Sequence, residues 1–246
     1  MKKIKAVIME WYLYLRGYRK CGAYDSFDNR DIPMTTNLID YSSIHLGGGV
    51  DGIDLDNVPY QDQKLTDHCV GFTWAGVASS LCTRHMRKQV TFNGEYIWSL
   101  IEKWGYALPE GGSYLRDGGK AIMKEVAEKG GILATDGRRY SFERFERVRP
   151  AEFDAVHKKG YQIVTGYIIK VPMCDQKWVI SMVGPDRGGH AFVDMDDYGG
   201  VDIARNSWRR WGIRKHGVPT GNFWINKEFR AKLFQSFILV GPKRMK

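Results

Sequence analysis

Asp62-Gln63-Lys64-Leu65-Thr66-Asp67-His68-Cys69-Val70-Gly71-Phe72 is the stretch on which the reading of this chain turns. Beyond Cys69, the residues Trp74, Val77, Ala78, Leu81 and Cys82 recur at helical spacing, with Ala75 among them and no proline. The pattern predicts a buried helix from about Cys69 to Arg87, with Thr66 or Asp67 as its cap and Cys69 in its first turn. A thiol is a useful nucleophile as the thiolate. A helix start favours that form, because its unpaired N–H groups and dipole stabilise negative charge.

Three other residue types complete the chemistry. His190 lies in Gly188-Gly189-His190-Ala191-Phe192, and Asn206 in Arg205-Asn206-Ser207-Trp208. An imidazole can pair with a thiolate and later protonate a leaving amine. Asn206 is sixteen residues beyond His190 (206 − 190), on the next strand of an expected hairpin, so its amide can hold the ring in one tautomer. Gln63, six positions ahead of Cys69, offers an NH₂ group that, with the Cys69 backbone N–H, can bind an oxyanion.

The rest of the chain divides by periodicity. Further helices are expected at Tyr96–Trp104 and Leu115–Lys129, the second ending at Gly130-Gly131. Segments 162–171, 177–183, 190–196, 201–207, 221–225 and 233–240 read as strands, and Asp196-Asp197-Tyr198-Gly199-Gly200 as a hairpin turn. Helices come first and an antiparallel sheet second, which is an α+β arrangement. Residues 1–20 have Ile4, Ile8, Trp11 and Leu15 on one helical stripe, and 22–59 read as irregular. The expected organisation is an N-terminal arm over 1–45, an anchor or short pro-segment, and one domain over 46–246. That domain has a helical part at about 60–150 and a β part at about 151–246.

Composition narrows the classes. With 43% hydrophobic and 26% charged residues, the chain is an ordinary globular protein rather than a disordered one. The net charge of +9 (37 Lys and Arg against 28 Asp and Glu) is spread without a basic block, so nucleic acid is not the expected partner. Four cysteines (Cys21, Cys69, Cys82, Cys174) do not make a disulfide scaffold. Met1 to Leu15 superficially resembles a signal peptide, but Glu10 interrupts it and no small-residue cleavage site follows. Synthesis in the cytoplasm without a secretion signal, and no membrane span, are expected.

Five pieces, in order, resemble the papain-like cysteine peptidases, in motif style closest to bacterial and bacteriophage members. They are Gln63 with Cys69-Val70-Gly71-Phe72; Gly111-Gly112-Ser113 leading into Leu115–Ala121; Gly189-His190-Ala191; Arg205-Asn206-Ser207-Trp208; and Trp211-Gly212. The resemblance spans roughly residues 55–240. It implies a two-lobed fold whose central helix starts at the nucleophile, beside a C-terminal antiparallel sheet. It also implies Cys69 as nucleophile, His190 as acid and base, Asn206 as orienter and Gln63 as oxyanion donor. Gly111, Gly112 and Gly189 match substrate-contacting stretches, and Trp208 matches the indole that shields the Asn. His68 stands where the family usually has Ser, and Arg209-Arg210 compress the segment after Trp208.

Other polar residues read as ordinary. His68 is expected to diverge from Cys69. Cys82 and His85 lack the second pair a zinc site needs, and Asp54, Asp56, Asp194, Asp196 and Asp197 lack a calcium loop and read as turn or surface residues. No metal or cofactor is called for. The function expected is a thiol-dependent endopeptidase acting on protein or peptide, a peptidoglycan peptidase being the sharper variant. Two alternatives stand beside it. One is acyl transfer to an amine. The other is a papain-like domain serving as a structural component of a larger assembly, such as a bacteriophage virion, with a partner bound through the arm.

Overall fold

The computed structural model describes residues 23–24, 60–64, 66–170, 186–198, 201–208 and 221–245. The expected helix over 1–20, the expected strand at 177–183, Cys21, Cys174, Asp54, Asp56 and Trp211-Gly212 lie outside them.

In chain order the elements begin with β1 (Ala23–Tyr24), α1 (Cys69–Met86), α2 (Gly94–Lys103), β2 (Ser113–Tyr114) and α3 (Leu115–Lys129). They continue with β3 (Ile132–Leu133), β4 (Arg139–Ser141), β5 (Arg144–Val148), α4 (Phe153–Lys158) and β6 (Ile163–Lys170). Last come β7 (Asp186–Tyr198), β8 (Val201–Arg205), β9 (Asn222–Asn226), β10 (Ser236–Val240) and β11 (Lys243–Arg244). The expected α+β arrangement is present: helices lie against a six-stranded antiparallel sheet of order β5-β10-β6-β7-β8-β9.

Helix α1 is the axis of the molecule. Every residue from Cys69 to Cys82 is buried, so it packs on all sides rather than along one stripe. Its polar residues are tolerated because their hydroxyls bond one turn back, Thr73 Oγ1 to Cys69 O at 2.8 Å and Ser79 Oγ to Ala75 O at 2.6 Å. Gly71 admits α2, since a Cβ there would lie 2.8 Å from both Gly94 O and Trp98 N. On another side Gly76 meets Val193 of β7. Helix α1 closes at Arg87 in the left-handed region.

Boundaries differ from the expected ones for local reasons. Helix α2 starts two residues early because the Asn93 side chain accepts from Glu95 N (2.8 Å) and Tyr96 N (3.4 Å). Helix α3 ends as expected, with Gly130 at φ 76°. The clean division into helices and then sheet does not hold, because β5 lies in the first half and pairs with β10, from Arg144↔Val240 to Val148↔Ser236. Its run Arg144-Phe145-Glu146-Arg147-Val148 is too charged to read as a strand. The buried Glu146 is matched by Arg144 Nε at 2.5 Å, and Phe145 sits edge-on to Trp74.

Candidate active site

The loop entering α1 is pinned from both sides. Gln61 Nε2 donates to Phe92 O at 2.7 Å and Gly94 N donates to Gln61 Oε1 at 2.6 Å, fixing the loop to the start of α2. From the sheet side, Gln63 N donates to Ser207 O at 3.0 Å and the Ser207 hydroxyl donates to Gln63 Oε1. With its oxygen engaged, Gln63 turns its NH₂ back along the loop, donating to Thr66 O at 2.7 Å.

The cap of α1 is not the expected one. His68 occupies the cap position without a side-chain bond to the helix. Thr66 instead turns back, its hydroxyl donating to Gln63 O at 2.6 Å, while the Asp67 carboxylate lies against Gly111. Cys69 is therefore the first residue of a helix whose first turn holds no acidic residue, an arrangement favourable to a thiolate. His68 does diverge: its ring stacks on Trp98 (4.3 Å, 12°) and its Nδ1 lies 2.7 Å from Glu95 Oε2.

His190 sits on β7 opposite Tyr167 of β6. Its Nε2 lies 2.8 Å from Asn206 Oδ1, just past the end of β8. Asn206 is held by its own backbone, N–H to Gly221 O at 2.8 Å. The Trp208 indole stacks on the imidazole (3.9 Å, 24°), and Trp208 N reaches Asn206 Oδ1 at 3.3 Å. An amide oxygen can only accept, so Nε2 carries the proton and Nδ1 is the basic nitrogen. Nδ1 has no hydrogen bond among the described residues. Burial pushes the His190 pKa down to about 3, with the Asn206 bond pulling the other way.

Cys69, Gln63 and His190 are fully buried and Asn206 nearly so. The Gly111-Gly112 stretch forms a tight turn, Gly111 N to Leu108 O and Leu108 N to Gly112 O both at 3.0 Å, while Gly189 precedes His190 on β7. From the N-terminal arm, β1 pairs parallel with β2, Ala23↔Ser113 and Tyr24↔Tyr114, and also packs against β7.

Elsewhere, Cys82 is buried and its thiol pushed up by that burial, in keeping with a packing role. Asp194 is not a turn or surface residue. It is fully buried 3.5 Å from His157 Nε2, in a group with Asp202 whose ligand atoms lie within 4.8 Å of one another. Arg230 grips Asp202 through two bonds, at 2.6 and 2.5 Å, so a side-chain cation is already built in. Nothing in the sequence marks Gln61 or Ser207 as part of the site. Ser207 lay inside a quoted motif, but only the fold shows that it spans to Gln63.

No protein-family model matches the sequence, and no curated protein matches it. Solved structures do. Xylellain, a cysteine protease from Xylella fastidiosa, is 17% identical with a TM-score of 0.64, covering 91% of this chain and 97% of its own. ProCathepsin B S9 from Trypanosoma congolense is 13% identical with a TM-score of 0.63, covering 94% of this chain and 89% of its own. The ragweed pollen allergen Amb a 11, a cysteine protease in its proform, is 13% identical with a TM-score of 0.57, covering 94% and 74%. The chain has the papain-like cysteine protease fold. No helix among the described residues is long and apolar enough to cross a membrane.

Proposed function

We propose that the chain is a cysteine endopeptidase acting on protein or peptide. The carrying observation is the His190 Nε2–Asn206 Oδ1 pair at 2.8 Å under the Trp208 indole, in a fold that starts its central helix at Cys69. Cys69 passes its thiol proton to His190 Nδ1 as Sγ attacks the carbonyl carbon, and the resulting oxyanion takes hydrogen bonds from Gln63 Nε2 and Cys69 N. His190 Nδ1 gives its proton to the leaving amine as the C–N bond breaks. It then takes a proton from the water that hydrolyses the thioester. Asn206 keeps the hydrogen on Nε2 throughout, so Nδ1 remains the working nitrogen.

The arm supports a finer reading, in which residues around Ala23–Tyr24 act as an inhibitory segment. They pair with β2 beside the Gly111-Gly112 turn and pack against β7, the strand that carries His190, while Cys69 and His190 are both fully buried. Two of the matched structures are named as proforms.

Both readings are tested by labelling the purified chain with a thiol-directed epoxide and recording intact mass. A Cys69→Ala variant and a chain lacking residues 1–40 run alongside. One adduct that vanishes in Cys69→Ala supports the peptidase, and labelling that quickens on truncation supports the inhibitory arm. No adduct in either form, on folded protein, favours a structural component of an assembly instead.

A further inference from the structure

We propose that Asp67 selects a positively charged residue, Lys or Arg, immediately before the scissile bond; this rests on the peptidase reading. Asp67 is two residues ahead of Cys69, and two residues span at most about 7 Å, within reach of a lysine or arginine side chain whose own carbonyl meets the thiol. Its carboxylate lies against Gly111, where a Cβ would fall 1.8 Å from Asp67 Oδ2. Gly111 (φ 95°) and Gly112 (φ 76°) carry no side chain to cover it, and 28% of the Asp67 side chain remains exposed.

The charge around Asp67 is unbalanced. Among the described residues the only cationic group within ion-pair distance is His68 Nε2, at 3.7 Å. The other nitrogen of that ring is 2.7 Å from Glu95. Two carboxylates thus share one imidazole, leaving at least one net negative charge even when His68 is protonated. This holds on a chain whose total is +9. A partly exposed carboxylate without a full counter-charge is completed by an ammonium or guanidinium from a ligand.

An extended peptide has a track to this point. The β2 edge already holds a strand, Ala23–Tyr24, in register with Ser113–Tyr114. A substrate on that edge, leading to Cys69, passes the Gly111-Gly112 turn and brings one side chain over Asp67.

The test compares labelling rates of the full chain by two peptidyl acyloxymethyl ketones, identical except for Arg or Leu next to the reactive carbon. The thiol-directed epoxide serves as a reference for a working nucleophile. An arm lying over the site slows both probes alike, so the ratio of rates reports the subsite. The expected ratio favours Arg by about tenfold or more. It falls to about one in Asp67→Asn, recovers in part in Asp67→Glu, and the epoxide still labels every variant. Epoxide labelling with no Arg preference, or a preference that survives in Asp67→Asn, overturns this proposal and leaves the peptidase standing. Failure of all three reagents on both the full chain and the chain lacking residues 1–40 overturns the peptidase reading and this proposal with it.

Discussion

His190 is the residue whose surroundings most constrain the chemistry. Burial holds its pKa at about 3, against an ordinary value of 6.5. Between those values the unfolded chain binds a proton that the native imidazole refuses. Stability is therefore fully present above about pH 6.5 and declines as pH falls toward 3. Thermal melts at pH 7 and pH 4 should show this loss, and His190→Gln should shrink it. The Arg230–Asp202 pair is the second sensitive point. With Asp202 fully buried, Arg230→Met leaves a carboxylate without its bidentate partner and should cost about 3–5 kcal/mol in urea unfolding. That network is invisible in the sequence: Asp194 reads as a turn residue because nothing local announces His157 and Asp202 as its neighbours, or Arg230 as the partner of Asp202. Gln63, Cys69, His190 and Asn206 were legible because their types and order carry chemistry wherever the chain places them. The direction Asp67 turns was not, since an acidic residue at a helix start ordinarily caps.

At the scale of elements, α1 was readable almost to the residue because its small and apolar positions run without a breaker from Cys69 to Met86. Strands β3, β4 and β5 were missed because they are short, two to five residues, and β4 and β5 carry charge that neighbouring strands and side chains absorb. The close approach of α1 and α2 gives a direct test. Gly71→Ala places a methyl 2.8 Å from backbone atoms of Gly94 and Trp98, which cannot swing aside as a side-chain tip would. The substitution should destabilise the fold by about 1–3 kcal/mol. Denaturant midpoints of wild type and variant check it, with Gly105→Ala as a control at a site where an added Cβ meets nothing but the strain of φ 71°.

For the whole molecule, the two halves expected from the sequence are bound more tightly than their order implies. Strand β5 belongs to the first half yet completes the sheet through β10, and Gln63 and Ser207 bond to each other twice. Separately expressed fragments 60–150 and 151–246 should therefore each fail to give a cooperative thermal transition, whereas the full chain gives one. Circular dichroism melts decide this. The same interleaving sets a clock during synthesis. Cys69 leaves the ribosome 152 residues before Gly221 (221 − 69), the residue whose carbonyl anchors Asn206. At ordinary elongation rates that interval is about 8–30 s. For all of it the nascent chain carries a thiol with no oriented base, so the proposed cutting machinery cannot act on its surroundings until Gly221 has emerged and folded onto Asn206.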